Sequence, residues 1–433
     1  MSRGLHVIHL FADSPGEWNC SEWRCHIPAN AINAEHEAGR TPHTVKLYYL
    51  PTALDWNNPL VQKSLGMADV LSFQRNVIIP EVYAAMDYWR ALGKAVVIDL
   101  DDHYPGLPPS NPAFQYWIRN MGDNPVAPIE ALAEGMRHAD ALTSPSKIIC
   151  ADWSHILPGY WIPNWTRRTW YAPVAHKPIG APDIINSYRH IPATEGAPER
   201  YEFTATERKD SAGQIMLGWG GSISHVDSWI YSGVIEALDR IFEKYPMTRL
   251  KFCGHESRLD DIFARWGDKL IRQEGVKPED WPSVVATFDI GLAPLDTRPL
   301  DPPWRDGAPI VGYDERRSWL KAVEYLSAGI PFVASKSETY KDLSHMGTLV
   351  ENTPEAWYTA LDNKIQYLAR EKEQAIRRQA WAMRKVTMEA NVNVYGDIMG
   401  RIIADKITRG AKARLPGITY VEAPAEKVAE VAA

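Results

Sequence analysis

The chain has 433 residues, of which 45% are hydrophobic and 23% charged, a balance that excludes a fibrous or largely disordered protein. At roughly 100–200 residues per domain, the length points to two domains. Lys and Arg total 47 against 54 Asp and Glu, a net charge of −7, which excludes a globally basic nucleic-acid binder but not a local basic face.

The opening stretch Met1–Phe11 carries one Arg and two His, too short and polar for a secretory signal. No apolar run approaches the ~18 residues that cross a bilayer, so stable membrane insertion is not expected. Cys20, Cys25, Cys150 and Cys253 form no CxxC pair. That argues against zinc clusters and disulfide scaffolds and fits a cytoplasmic location.

Along the first third, strand and helix signals alternate. Apolar or β-branched runs at Leu5–Phe11, Thr44–Tyr49, Asp69–Phe73, Lys94–Leu100, Ala139–Thr143 and Tyr160–Ile162 predict six strands. Helices are predicted at Ser21–Ala38, stopped by Gly39, and from Pro80 to Leu92, stopped by Gly93. This alternation predicts an open, mostly parallel sheet covered on both faces. Residues 165–212, rich in Pro, Arg, Tyr and Trp, lack clean periodicity and are too long for a simple linker.

The alternation then restarts. Strands are predicted at Gln214–Trp219, Arg249–Cys253, Asp289–Pro294, Ile330–Ala334 and Thr348–Glu351, and helices at His225–Phe242 and Ser318–Ala328. After Pro354 the chain reads as helical to about Ile407. Residues 362–414 hold 12 Lys/Arg against 6 Asp/Glu. The expected division is an N-terminal doubly wound domain (1–165), an excursion (166–212), a C-terminal doubly wound domain (213–385), C-terminal helices (386–415) and a disordered tail (416–433).

Ligands of open α/β sheets lie beyond the carboxyl ends of the strands, so residues just after strands are the candidates. Leu217-Gly218-Trp219-Gly220-Gly221-Ser222-Ile223-Ser224-His225 runs from a strand through a glycine turn into a helix. Glycines allow close approach of a ligand, and a helix N-terminus offers free N–H groups to an anion; Ser222 and Ser224 are candidate N-caps. A capped tight turn explains the same residues without a ligand. Lys321-Ala322-Val323-Glu324 places Lys321 and Glu324 on one helix face. They read either as a surface ion pair or as a cation near a diphosphate with a carboxylate on a ribose diol. Asp99-Leu100-Asp101-Asp102-His103 ends an apolar strand. Asp102 or His103 is a candidate base, and capping of the following Pro-rich turn is the structural alternative. His225 either touches a donor or fills the first helical turn.

In combination and order, these segments resemble the nucleotide-sugar glycosyltransferases of the GT-B fold, the family-4-like "group 1" branch. The matching stretches are GWGGSISH, DIGLAPL, KAVEYLSAGIPFVAS, Gly347-Thr348-Leu349-Val350-Glu351, Asp99–Asp102 and Ile162-Pro163-Asn164, within roughly 94–164 and 214–361. The resemblance implies an α/β protein of two doubly wound Rossmann-like domains facing across a cleft, with C-terminal helices packing back on the first. It implies a retaining, metal-independent hexosyltransferase using a nucleotide-diphosphate sugar, with UDP-sugar the expected donor. Carried over, Gly220, Gly221 and Ser222 approach the donor diphosphate with His225 nearby, and Glu324 matches the second glutamate of the Glu-x7-Glu pattern, the ribose ligand. The first glutamate falls on Arg316, a departure. Arg316, Arg317 and Lys321 are then the phosphate-binding candidates, with Arg298 behind them. Asp102, His103 and Arg316 are the expected catalytic residues. Asp99-Leu100-Asp101 spells DxD, but the fold resemblance argues against a metal there.

For the acceptor, Trp18, Trp23 and Arg24 offer ring stacking, with core packing of Trp23 the alternative. Trp165, Arg167, Arg168, Trp170 and Tyr171 interleave cations and rings, a mixture suited to sugars or splayed bases or to domain-interface packing. The wording WRCHIPANAI and RALGKAVVIDLDDHYPGLPPSNP resembles bacteriophage glycosyltransferases. That resemblance implies a hydroxymethylated pyrimidine in viral DNA as acceptor; a glycan, lipid-linked or small-molecule acceptor is the alternative. Two other functions compete. One is an inactive nucleotide-sugar-binding module, suggested by Arg316. The other is a two-Rossmann oxidoreductase, disfavoured because neither half has GxGxxG with an acidic residue about 20 positions on.

Overall fold

The computed structural model describes residues 4–13, 19–120, 125–193, 198–254, 257–301 and 304–412. The expected tail, 416–433, and Trp18 lie outside them. Strands β1 (His6–Phe11), β2 (Thr44–Tyr49), β3 (Val70–Gln74), β4 (Ala95–Asp99), β5 (Ala141–Ser144) and β6 (Gly159–Trp161) form one parallel sheet in the order β2-β1-β3-β4-β5-β6. A hairpin, β7 (Asp183–Ile191) and β8 (Arg200–Arg208), comes next in the chain. Strands β9 (Ile215–Gly220), β10 (Thr248–Cys253), β11 (Leu270–Gln273), β12 (Ile290–Ala293), β13 (Phe332–Ser335) and β14 (Thr348–Val350) form a second parallel sheet, β11-β10-β9-β12-β13-β14. In both sheets the order reverses direction beside the first strand, so each has a topological switch point, the place where ligands of such sheets bind.

The central strands β3 and β4 are buried throughout, which is why they read as unbroken apolar runs. The predicted helix at 225–242 is instead two, Val226–Ile230 and Val234–Lys244. Gly233 breaks it with a φ of +81°, and a Cβ there would come within 2.7–2.8 Å of Pro354 and Thr353.

The long helix Met388–Lys412 crosses back onto the N-terminal lobe. Tyr395 Oη lies 2.6 Å from His9 Nε2 on β1, Arg409 donates to the carbonyl of Asp140, and Gly396 sits against the His43 ring. The excursion serves the same fastening. Trp165 and Tyr171 are core residues, and Arg167 pairs with Glu389 at 3.0 Å. These residues therefore pack the interface between lobe and crossing helix. No helix among the described residues is long and apolar enough to cross a membrane.

Under the second sheet, Asp289 is 1% exposed and accepts from Lys177 at 3.0 Å, Lys372 at 2.8 Å and the Met216 amide at 2.8 Å. Removing this carboxylate leaves two buried lysines unpaired. Asp289→Ala is therefore expected to cost about 3–5 kcal/mol, read from the midpoint of urea unfolding. A loss below about 0.5 kcal/mol, the size of an ordinary surface change, would mean that the lysines find other partners.

Candidate active site

The glycine turn lies at the carboxyl edge of β9, the strand at the switch point. Gly220 backs onto the Trp281 ring, and a Cβ on Gly221 would sit 2.7 Å from both Lys321 Nζ and the Trp219 ring. Only glycine leaves that room. The expectation of a donor-rich helix N-terminus is corrected in detail. The Gly221 amide is already spent on the Cys253 carbonyl at 3.0 Å. Beyond the turn the chain makes one 3-10 turn, Ile223–His225, and a five-residue helix, too short to sum a strong dipole. Ser222 makes no side-chain cap; its hydroxyl meets that of Ser224 at 2.7 Å.

Charge reaches the turn from elsewhere. The helix Leu320–Ser327 brings Lys321 Nζ onto the Gly220 carbonyl and 4.7 Å from the centre of the Trp219 ring. One turn on, Glu324 is 6% exposed and hydrogen-bonded by the Trp281 indole. Burial pushes the Glu324 carboxyl up to about 7, against the pull of Lys321 and the Trp281 bond. Burial also pushes Lys321 down to about 8, against the attraction of Glu324. Lys321 thus touches both glycines of the turn, and Trp281 joins Gly220 to Glu324.

The raised carboxyl has a consequence for stability. Between about pH 4.5 and about 7 the native chain holds a proton that the unfolded chain has released, so stability falls as pH rises through that window. Glu324→Gln removes this slope. Its melting temperature is expected to gain on wild type as pH rises from about 5 to about 7.5; parallel curves would contradict the buried carboxyl.

The adjacent arginines part company. Arg317 donates to Asp314 at 2.7 Å and to the Ser224 carbonyl at 2.8 Å, with His225 Nε2 at 3.4 Å. Of five guanidinium N–H groups, two keep no partner among the described residues. His225 is buried, and burial first, then Arg317 and Lys321, hold it well below the usual histidine range. As a neutral ring between Ser228 and Arg317, it orients the arginine. Arg316 is committed elsewhere. It is 1% exposed and forks onto Asp152 at 2.7 and 3.1 Å. Its other bonds go to the carbonyls of Val311, Gly312 and Pro309 at 2.6, 3.2 and 2.9 Å. All five N–H groups are used, so none is left for a phosphate or a sugar. Arg298 is held by Asp296 over the Tyr231 ring.

On the facing lobe, the β4 end divides similarly. Asp99 accepts a two-pronged bond from Arg24 at 2.8 and 2.7 Å and a third from Thr143. Arg24 is thereby buried, and Trp23 packs into the core beside it. Asp99 and Asp101 do not converge as a DxD pair, because Asp101 turns instead toward Arg75, 4.0 Å away. His103 is 1% exposed, under Trp304, with Nδ1 3.1 Å from Asp152 but off the hydrogen-bond direction. It has no face toward the cleft for a substrate proton. Asp102 is half-buried. Burial raises its carboxyl, and Arg317 of the other lobe is the largest opposing influence.

Sequence reasoning missed Arg75, Trp281 and Asp152. Arg75 stands at φ +34°, uncommon for a side chain of its size, and pairs with Asp13. That backbone choice leaves no mark in the sequence.

No protein-family model matches the chain, and no curated protein sequence matches it. Among solved structures, sucrose-phosphate synthase from Thermosynechococcus elongatus superposes with a TM-score of 0.57 at 12% identity, over 92% of this chain and 99% of the other. An Escherichia coli trehalose-6-phosphate protein solved with UDP-2-fluoro glucose matches at TM-score 0.48 and 11% identity, over 91% and 99%. A UDP-N-acetylglucosamine 2-epimerase from Listeria monocytogenes matches at 0.45 and 13%, over 96% and 100%. With the two parallel six-stranded sheets and the returning C-terminal helices, the superposition on the synthase gives the fold: two Rossmann-like domains of the GT-B type across a cleft.

Proposed function

We propose that the protein is a nucleotide-sugar-dependent glycosyltransferase that moves a sugar from a nucleoside diphosphate, UDP by preference, to an acceptor hydroxyl. The observation that carries this reading is the contact of Lys321 with the Gly220-Gly221 turn, with Glu324 one helical turn on and Arg317 bonded to the Ser224 carbonyl beyond the turn. Glu324 takes the ribose diol. Lys321 and the spare N–H groups of Arg317 face the diphosphate. The glycines let Trp281 and Lys321 pack against the turn rather than supplying donors, and Ser222 flanks the phosphates.

The chemistry is one of charge. As the glycosidic bond breaks, the sugar becomes oxocarbenium-like and negative charge gathers on the leaving diphosphate. Fixed cations aimed at that charge are the main requirement, and Lys321 and Arg317 meet it with no call for a metal. Asp102, opposite, is the acceptor-side group, binding the attacking hydroxyl or taking its proton. Retention of configuration belongs to the same reading through the GT-B resemblance. The name of the structural neighbour, a sucrose-phosphate synthase, is consistent with sugar transfer on this fold.

For the acceptor, the phage-like wording of the N-terminal lobe favours a hydroxymethylated pyrimidine in DNA, with a glycan or small molecule as the competing class. Part of the C-terminal basic excess is spent internally: Lys364 on Glu371, Lys372 on Asp289 and Lys406 on Asp140. The deciding experiment incubates the protein with mixed UDP- and GDP-sugars and either hydroxymethylated DNA or a simple glycan, and reads products by mass spectrometry. Transfer to DNA should fall steeply with salt. Neither transfer nor donor hydrolysis with any donor would leave an inactive binding module as the better description.

A further inference from the structure

We propose that Arg316 is a positioning residue whose fork onto Asp152 fixes the angle between the lobes and thereby the place of Arg317. The second half rests on the donor-site reading under Proposed function.

The chain between β12 and β13 belongs by sequence to the C-terminal lobe, yet Trp304, Arg305, Tyr313 and Arg316 dock on the N-terminal one, while Asp314 and Glu315 between them bond Ser228, Asp296, Glu338 and Thr339 of the C-terminal lobe. Trp304 lies 5.3 Å from the Trp153 ring and 5.4 Å from His103. Arg305 donates twice to the Asp152 carbonyl, at 3.2 and 2.6 Å. Tyr313 is part of the N-terminal hydrophobic core. The last anchor is Arg316 on Asp152, a pair 164 residues apart in sequence, with both side chains at most 1% exposed.

The residues around this anchor hold the C-terminal lobe. Arg317 binds Asp314, Ser224 and His225, and Asp314 in turn accepts from the Asp296 amide at 2.9 Å and from Ser228. Two neighbouring guanidinium groups therefore point into different lobes. A planar fork fixes direction as well as distance, which a lysine cannot do. Any opening of the cleft that separates Asp152 from this segment must pull on the peptide that carries Arg317. The position where the resemblance expects the first glutamate of the Glu-x7-Glu pattern has become the hinge pin between the lobes.

The test compares wild type with Arg316→Lys and with the double variant Arg316→Met, Asp152→Leu. The apolar pair replaces a buried ion pair without leaving a lone charge, so the protein is expected to fold; circular dichroism and melting confirm that first. The full chain is then measured in three ways: hydrogen exchange of the amides in 309–317, the radius of gyration in solution, and affinity for UDP alone. The expected result is exchange faster by about tenfold, a larger radius, and UDP binding weaker by about tenfold in the double variant, with Arg316→Lys in between. A folded double variant with wild-type exchange and radius would overturn the proposal. So would one that loosens while its UDP affinity stays unchanged. If wild type itself binds neither UDP nor GDP while the segment loosens as expected, the donor-site reading fails and the lock between lobes stands.

Discussion

Glu324→Ala is expected to weaken nucleoside-diphosphate-sugar binding by about tenfold to a hundredfold for each hydroxyl bond lost, because a charge-assisted hydrogen bond contributes about 1.5–3 kcal/mol. The residue is 6% exposed and held by the Trp281 indole, so its geometry is set before any ligand arrives. Calorimetry with UDP on the folded variant is the measurement. Wild-type affinity would remove the central support of the functional reading. Glu324→Gln should lose less, since an amide oxygen still accepts from a hydroxyl.

The second large effect concerns Lys321. Deleting one fixed group aimed at a developing charge costs about 10²–10³ in kcat, and Lys321→Met is expected to fall in that range. Its pH signature separates this role from packing. Burial lowers the ammonium to about 8, and the cation is lost as pH rises through that value. The wild-type kcat/KM should therefore fall above about pH 8, and a guanidinium in Lys321→Arg should abolish the fall even if it lowers the rate. A profile flat to about pH 10, near the ordinary lysine value, would mean that Lys321 only packs against Trp219.

The fold was largely legible where physics is local. Thr44–Tyr49 is rich in β-branched and aromatic residues and forms β2 with those bounds. The runs around β3 and β4 read as buried strands and are. The edge strand β11, Leu270–Gln273, was not found, since only two of its four residues are apolar and it lies at the sheet's rim. The β7–β8 hairpin was also missed. Its residues are mostly exposed or half-exposed, so no apolar stripe announces it, and its register comes from cross-strand pairing.

The site divides along the same line. Lys321 and Glu324, one turn apart on a helix, were readable from spacing. Trp281 and Asp152 come to the site by folding, from 43 and 172 positions before Glu324, where no periodicity connects them. The sequence also could not separate Arg316 from Arg317, two identical neighbours whose partners lie in different lobes. For His103 and Arg316, burial decides, and burial is a property of the finished packing.

The docking of Trp304, Arg305, Tyr313 and Arg316 on the N-terminal lobe also bears on how the molecule is made. Ribosomes release the chain from its N-terminus, so the first sheet, with Trp153 and Asp152 in place, can be complete before Trp304 and Arg316 emerge. The second sheet closes only when β13 joins β12 after those residues. The earlier half thus serves as a template for the later one, and the C-terminal half synthesised alone would carry a buried arginine and an aromatic anchor with nowhere to dock.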